Sequence, residues 1–239
     1  MKLLNRGLFL SIEGPDGSGK TTQINLLRRF LESHRIADFD VIFTREPGGT
    51  VIGEKIRDII LDNSHTEMSD LTEAMLYAAG RAQHVEQIIE PALSEGKLVI
   101  CDRFIDSSIA YQGYGRGLGE KVSVINSIAV GTTMPYRTVF LDIDPQVAHN
   151  RISESLSFSE RENAIRYEKH RTHLDRLELE KMEFHKKVYE GYKDLIYKNP
   201  ERFVVVDGRG SIDQVQGRLR SSLVDICESF INGMTGNEK

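Results

Sequence analysis

Five short apolar runs punctuate the chain, and between them apolar residues recur every three or four positions. The runs are Leu8–Ile12, Val41–Thr44, Lys97–Cys101, Thr138–Leu141 and Phe203–Val206. Runs of this length, without regular polar alternation, are the pattern of strands buried on both faces. The stretches between them predict helices. Ile24, Leu27 and Leu31 mark the first of these, and Ile52, Ile56, Ile59 and Ile60 the second. A longer pattern starts near Ser69 and carries Leu71, Met75, Ala78, Ala82, Val85 and Ile89. Ser211 is a candidate cap for the final helix. Strand and helix alternating in this way are the mark of βαβ units, and they predict an α/β fold with a five-stranded parallel sheet flanked by helices.

Two segments break the pattern. Gln112–Gly119 holds four glycines in eight residues and is expected to be irregular. Residues 156–173 are polar and charged and include Arg161, Arg166 and Arg171. Their flanks, Val147–Ile152 and Leu174–Ile196, both read as helices, so the polar stretch is expected to be an arginine-bearing flap between them.

Composition narrows the class. At 239 residues the chain is long for one domain, on a prior of about 150 residues each. No Pro/Gly/Ser-rich linker divides it, so residues 1–239 are read as a single domain. Hydrophobic residues at 39%, with 20 Gly, put it in the globular range and exclude disordered, collagen-like and disulfide-scaffold chains. No stretch approaches the ~18 consecutive apolar residues of a membrane span, and Met1–Gly7 has no apolar signal core. A soluble, cytoplasmic protein is expected. The balance of 31 Lys+Arg against 36 Asp+Glu gives a net charge of −5. That sign argues against a non-specific nucleic-acid binder and leaves any anionic ligand to local donors. Cys101 and Cys227 follow no metal-ligand spacing, and Cys101 ends an apolar run, as a reduced core thiol would. The seven histidines show no spacing that pairs them with acids and are expected to be packing or solvated residues.

One octet carries strong chemistry. Gly14-Pro15-Asp16-Gly17-Ser18-Gly19-Lys20-Thr21 satisfies G-x-x-x-x-G-K-[ST], directly after the first strand and opening the first helix. The glycines let backbone N–H groups converge on phosphate oxygens, and the helix start adds its positive dipole end. Lys20 would reach the β and γ phosphates of a nucleoside triphosphate, and the Thr21 hydroxyl would ligate Mg²⁺. The Asn-Lys-x-Asp of small GTPases and the Leu-Ser-Gly-Gly-Gln of transport ATPases are both absent. The third strand instead ends in Asp102-Arg103. The carboxylate there is placed to hold Mg²⁺ or its waters, and the guanidinium to grip a second phosphate. Two phosphate centres imply transfer from one phosphate to another.

These residues resemble thymidylate kinase, and the likeness runs from the first strand to the last helix. It is carried by the stretch from Glu13 to Thr22, by Thr44-Arg45-Glu46-Pro47-Gly48-Gly49-Thr50, and by the stretch from Asp102 to Gly113. The resemblance implies a P-loop nucleoside-monophosphate kinase fold and phosphorylation of dTMP by ATP with Mg²⁺. It implies a homodimer as well. ATP would lie on Gly14 to Thr22, with Thr22 closing the cradle. Asp16 and Glu46 would stand near the acceptor phosphate and magnesium, and Arg57 and Arg103 would hold that phosphate. Tyr77 takes the place of an aromatic that stacks on thymine, and Arg81 that of a donor to its O4 carbonyl. Ser107, Ser108 and Gln112 fall among the other base contacts, and Tyr111 under the deoxyribose. Tyr77 and Arg81, four apart on a helix, share a face whatever the family.

The cradle lacks an arginine, which resembles the largely bacterial variant that carries this arginine in a lid. Residues 156–173 are then the lid and Arg171 its arginine, just before the family motif Leu174-Asp175-Arg176-Leu177-Glu178. Two rivals remain on the sequence alone. A deoxynucleoside kinase would use a hydroxyl acceptor and a carboxylate base, and an NTP-gated binding module would turn over nothing.

Overall fold

The computed structural model of the chain describes residues 7–34, 36, 39–153 and 174–235. Its centre is one parallel sheet of β1 (Leu8–Glu13), β2 (Val41–Arg45), β3 (Leu98–Asp102), β4 (Arg137–Asp142) and β5 (Phe203–Asp207), in the order β2-β3-β1-β4-β5. Each predicted run is one of these strands. The ends differ in a uniform way, because every strand continues to a charged residue. Glu13, Arg45, Asp102, Asp142 and Asp207 form the carboxyl edge of the sheet, with Ile12 and Arg45 both in register with Asp102 and Asp142 with Asp207. That edge is where open α/β sheets bind ligands.

Alternation along β1 feeds two cores. Leu8, Leu10 and Ile12 pack with Ile24 and Leu27 of α1 (Lys20–Ser33) and with Leu219, Leu223 and Ile226 of the C-terminal helix, α9 (Ile212–Thr235). Phe9 faces the other way, toward Val85, Ile89, Ala92 and Leu93. Those four belong to a π turn, Val85–Ile89, and to α4 (Glu90–Ser94), which together prolong α3 (Asp70–His84). Ser211 caps α9 as expected. Its Oγ accepts from Gln214 N at 3.3 Å while Gln214 Oε1 accepts from Ser211 N at 2.9 Å.

Two expectations are corrected. Gln112–Gly119 is not irregular throughout, since α5 (Ile105–Ser108) runs on as a second π turn over Ile109–Gly115. Its glycine allows close packing, because a Cβ on Gly115 would stand 2.5 Å from the Phe184 ring. The helix predicted from Leu174 starts only at Met182, as α8 (Met182–Lys198). Asp175 Oδ1 accepts from the N–H groups of Leu177 and Glu178, and Glu178 Oε2 accepts from Asp175 N, so this stretch closes into a turn of its own. The preceding flank is helical over residues 145–153 (α7).

The helices predicted through Ile52–Ile60 and from Ser69 are α2 (Val51–Leu61) and α3. Ile52, Ile59, Leu71 and Met75 are exposed. On α3 the buried face carries Glu73, Tyr77, Arg81 and His84 beside Ala74 and Ala78, so polar residues occupy the inside. α6 (Glu120–Val130) lies against the far side of α3. Gly80 is met only by Ile56 of α2 at 3.7 Å, an ordinary contact distance, so no close approach demands the glycine.

Candidate active site

The strand-to-helix turn after β1 folds as its glycines require. Gly17 has φ 78°, and a Cβ there would stand 2.1 Å from the carbonyl oxygen of Ala148. Gly19, at φ 92°, faces open space. Lys20 is buried, and its Nζ donates to the carbonyls of Gly14 and Pro15, both at 2.9 Å. Desolvation, with Arg103 adding to it, pulls the ammonium down to about 8. An anion in the cradle would relieve both costs.

A second charged centre stands beside the first. Arg103 follows β3 at φ 66°, the left-handed region that a non-glycine residue enters only under constraint. The constraint is visible: Arg103 N donates to Ile12 O at 3.0 Å, and the guanidinium reaches Asp16 at 2.6 Å, Ser107 at 3.0 Å and Tyr111 at 3.1 Å. Tyr111 also donates to Asp16 at 2.8 Å. Burial pushes Asp16 upward, but Arg103 and Lys20 outweigh it and hold the carboxyl below its usual range. Beneath lies Glu13, fully buried, accepting from Phe104 N at 2.7 Å, Ser107 Oγ at 2.6 Å and Tyr192 Oη at 2.8 Å. Desolvation and the nearby Asp106 push Glu13 up to about 7.

The third part is a recess between α3 and the Ile109–Gly115 turn. Tyr77, Arg81, Ser107, Ser108, Tyr111 and Gln112 all line it, as does Arg57, whose Nη1 donates to Pro47 O at 2.9 Å. Arg81 is buried and heavily committed. Its Nε donates to Glu46 at 2.7 Å, its Nη1 to Ser108 at 3.0 Å and to Asn126, and its Nη2 to Phe104 O at 3.2 Å. One N–H of Nη2 is left over. Glu46 therefore seats Arg81, and its second oxygen accepts from His84 Nδ1 at 2.8 Å, while His84 Nε2 bonds Thr44 Oγ1 at 2.6 Å. His84 is a packing residue, as the histidines were expected to be, but one bonded to an acid. The 38-residue separation of His84 and Glu46 hides the pair from any local spacing rule.

The three parts open into one cavity of about 960 Å³. Asp16 to Gln23 line one end, with Arg151, Gly208, Gly210, Ser211, Ile212 and Val215. Sequence reasoning placed none of those last six in the cavity, because Arg151 carries no motif, Ser211 was read only as a helix cap, and the rest are glycine backbone and apolar surface. Gly14 and Pro15 contribute carbonyls to Lys20 rather than surface to the cavity. Thr21 and Asp102 both line it, and Asp102 Oδ1 is buried with no protein partner. An orphaned carboxylate oxygen beside the cradle fits a hydrated Mg²⁺. Among the described residues no group of three or more acids, His or Cys is placed to hold a metal alone, as suits an ion held largely by phosphates and water. Arg171, with Arg161, Arg166 and the 156–173 segment, lies outside the described residues. Cys101 is a buried free thiol, as expected, and so is Cys227; desolvation pushes both upward.

A family model described as thymidylate kinase matches residues 12–219, which takes in all three parts of the cavity. The chain belongs to the thymidylate kinase family. Thymidylate kinase of Clostridium novyi is 46% identical over 92% of this chain and 100% of its own length. Those of Lactobacillus delbrueckii subsp. bulgaricus and Geobacillus thermodenitrificans are 48% and 49% identical over 88% and 87% of this chain. The crystal structure of thymidylate kinase from Ehrlichia chaffeensis superposes with a TM-score of 0.67 at 32% identity, covering 91% of this chain and 98% of that one.

Proposed function

We propose that this protein transfers the γ-phosphoryl group of ATP to the phosphate of dTMP, releasing ADP and dTDP. The observation that carries the reading is the Asp16–Arg103 pair, which joins a triphosphate cradle to a base-sized recess within one cavity. ATP phosphates lie on Asp16 to Thr22 with Lys20 against them, and adenine lies between Arg151 and the Gly208–Val215 wall. Thr21 and Asp102 hold Mg²⁺, which when bound neutralises charge on the donor phosphates. Arg103 and Arg57 hold the acceptor phosphate, whose oxygen is already a nucleophile at neutral pH. Catalysis is then positioning and charge stabilisation rather than proton removal. Tyr77, its phenol pushed upward by burial and so neutral, stacks on the thymine. The spare Nη2 N–H of Arg81 donates to O4, and Tyr111 crowds the position of a 2′-hydroxyl. Arg171 supplies the guanidinium that the cradle lacks.

The working unit is a homodimer in a cytoplasmic setting. Val51, Ile52 and Ile59 of α2, Leu71 and Met75 of α3, and Val124 and Ile128 of α6 are all exposed on helices packed side by side. Apolar surface gathered in this way marks an interface. No described helix is long and apolar enough to cross a membrane.

Turnover of ATP with dTMP, dUMP, dCMP, thymidine or no acceptor tests the reading. dTMP and dUMP are phosphorylated and dCMP poorly, since Arg81 only donates. Phosphorylation of thymidine in place of dTMP would instead indicate a hydroxyl acceptor. Arg103→Ala keeps ATP binding in calorimetry and loses dTMP; the reverse pattern would exchange the two phosphate sites.

A further inference from the structure

Glu73 stands one turn before Tyr77 and two before Arg81 on α3, so the three share a face. It has no exposed surface, and a buried carboxylate is costly unless fully partnered. Its Oε1 accepts from Gln112 Nε2 at 2.9 Å and Arg116 Nε at 3.3 Å. Its Oε2 accepts from Arg116 Nη2 at 3.1 Å and from Arg176 Nη2. Arg176 comes from the turn before α8, where its Nε also holds Ile60 O at 3.0 Å, and Arg116 reaches on to Glu180. Two guanidiniums from separate parts of the chain thus keep a carboxylate in a place where apolar packing would otherwise suffice. The Leu174-Asp175-Arg176-Leu177-Glu178 motif gains a part in the site through this contact.

An ionised carboxylate accepts and never donates. The NH₂ end of the Gln112 amide must therefore face Glu73, although amide orientation is ordinarily ambiguous. Gln112 Oε1 is left on the cavity side with no protein partner among the described residues. We infer that Glu73 is a positioning residue for acceptor selection: by holding the Gln112 NH₂ group, it presents Gln112 Oε1, an acceptor only, to ring nitrogen N3 of the pyrimidine. Thymine carries a proton at N3 and cytosine a lone pair, so the oxygen attracts one base and repels the other. This second reading of the base is independent of Arg81, which addresses position 4. It rests on the cavity being the dTMP site.

The test compares dTMP and dCMP in Glu73→Gln, Gln112→Leu and the double variant, after dTMP turnover by the unaltered enzyme has been measured. Without that turnover, both the acceptor reading and this one fall. In Glu73→Gln the amide at 112 is free to turn over. The dTMP/dCMP ratio of kcat/KM narrows by about tenfold or more, the value of a well-made polar discrimination, while KM for ATP stays unchanged. Gln112→Leu narrows the ratio as well, and adding Glu73→Gln to it changes the ratio no further. A ratio that stays at the wild-type value in Glu73→Gln while the unfolding temperature falls makes Glu73 purely structural and overturns the proposal alone. So does a further change of ratio in the double variant. Should Glu73→Gln fail to fold, ¹⁵N NMR of the unaltered protein decides. With dTMP bound, the Gln112 side-chain amide protons keep their nuclear Overhauser contacts to Glu73, whereas loss of those contacts in favour of contacts to the base overturns the orientation.

Discussion

Glu13 ends the central strand with no exposed surface, and its carboxyl titrates near pH 7 instead of its ordinary 4.5. The folded state therefore holds this proton more tightly than the unfolded chain does. The resulting stability is complete below about pH 4.5 and is lost as pH rises through about 7. Thermal unfolding measured from pH 5 to 8 should show a falling midpoint, and Glu13→Gln should flatten the decline; parallel profiles would remove Glu13 as its cause. A second residue-scale expectation concerns the lid arginine. Arg171→Ala should lower kcat by about 10³–10⁵, the range of an arginine acting on the transferring phosphoryl group, with dTMP affinity unchanged. Arg161→Ala and Arg166→Ala are the controls, and normal kcat in all three and in the triple variant would end the lid-arginine reading. Lys20, Asp16 and Arg103 were legible in the sequence because their chemistry lies in short contiguous motifs after strands. Glu73 and His84 were not. Their partners lie up to 103 residues away, and charged residues on a helix read as a solvated face until the fold turns them inward.

Elements were legible where burial is two-sided. All five strands stood out as apolar runs, the central β1, β3 and β4 because both faces are covered, and the partly exposed edge strands β2 and β5 through their apolar composition. Helices with one face on the site were read less well. α3 exposes Leu71 and Met75 because its inner face is filled by the hydrogen-bonded side chains of Glu73, Arg81 and His84 rather than by apolar packing alone. The Ile109–Gly115 turn hid behind its glycines for a related reason, as Gly115 admits α8 instead of loosening the chain. Gly191 on α8 is the reciprocal case, where a Cβ would stand 2.8 Å from the Tyr114 ring. Gly217 on α9 has nothing within 4 Å. Gly217→Ala should therefore stabilise the protein by about 0.5–1 kcal/mol through helix propensity. Gly191→Ala should lose that gain to overpacking, which costs about 1–3 kcal/mol. Denaturant unfolding of the two variants checks this, and equal shifts of midpoint would mean that α8 and the π turn do not press together.

At the scale of the molecule, exposed apolar residues gather on α2, α3 and α6, which pack side by side. Ile128, 81% exposed, and Val124, 61% exposed, stand on the helix whose Asn126 is hydrogen-bonded to Arg81. Ile128→Glu should reduce the sedimentation mass from twice the chain to the single 27.1 kDa chain; an unchanged mass would place the interface elsewhere. Nothing in the sequence marked this surface, since apolar helical positions are assigned to the core by default. The strand order has a consequence for the protein while it is being made. β1 and the cradle that follows it leave the ribosome before the rest of the sheet, yet β1 is flanked by β3 and by β4, which begins only at Arg137. At about 5–20 residues per second, that partner arrives on the order of ten seconds later. The nascent chain thus carries the whole phosphate motif long before it has a place to hold it, and a ribosome-stalled fragment ending before β4 should bind no ATP.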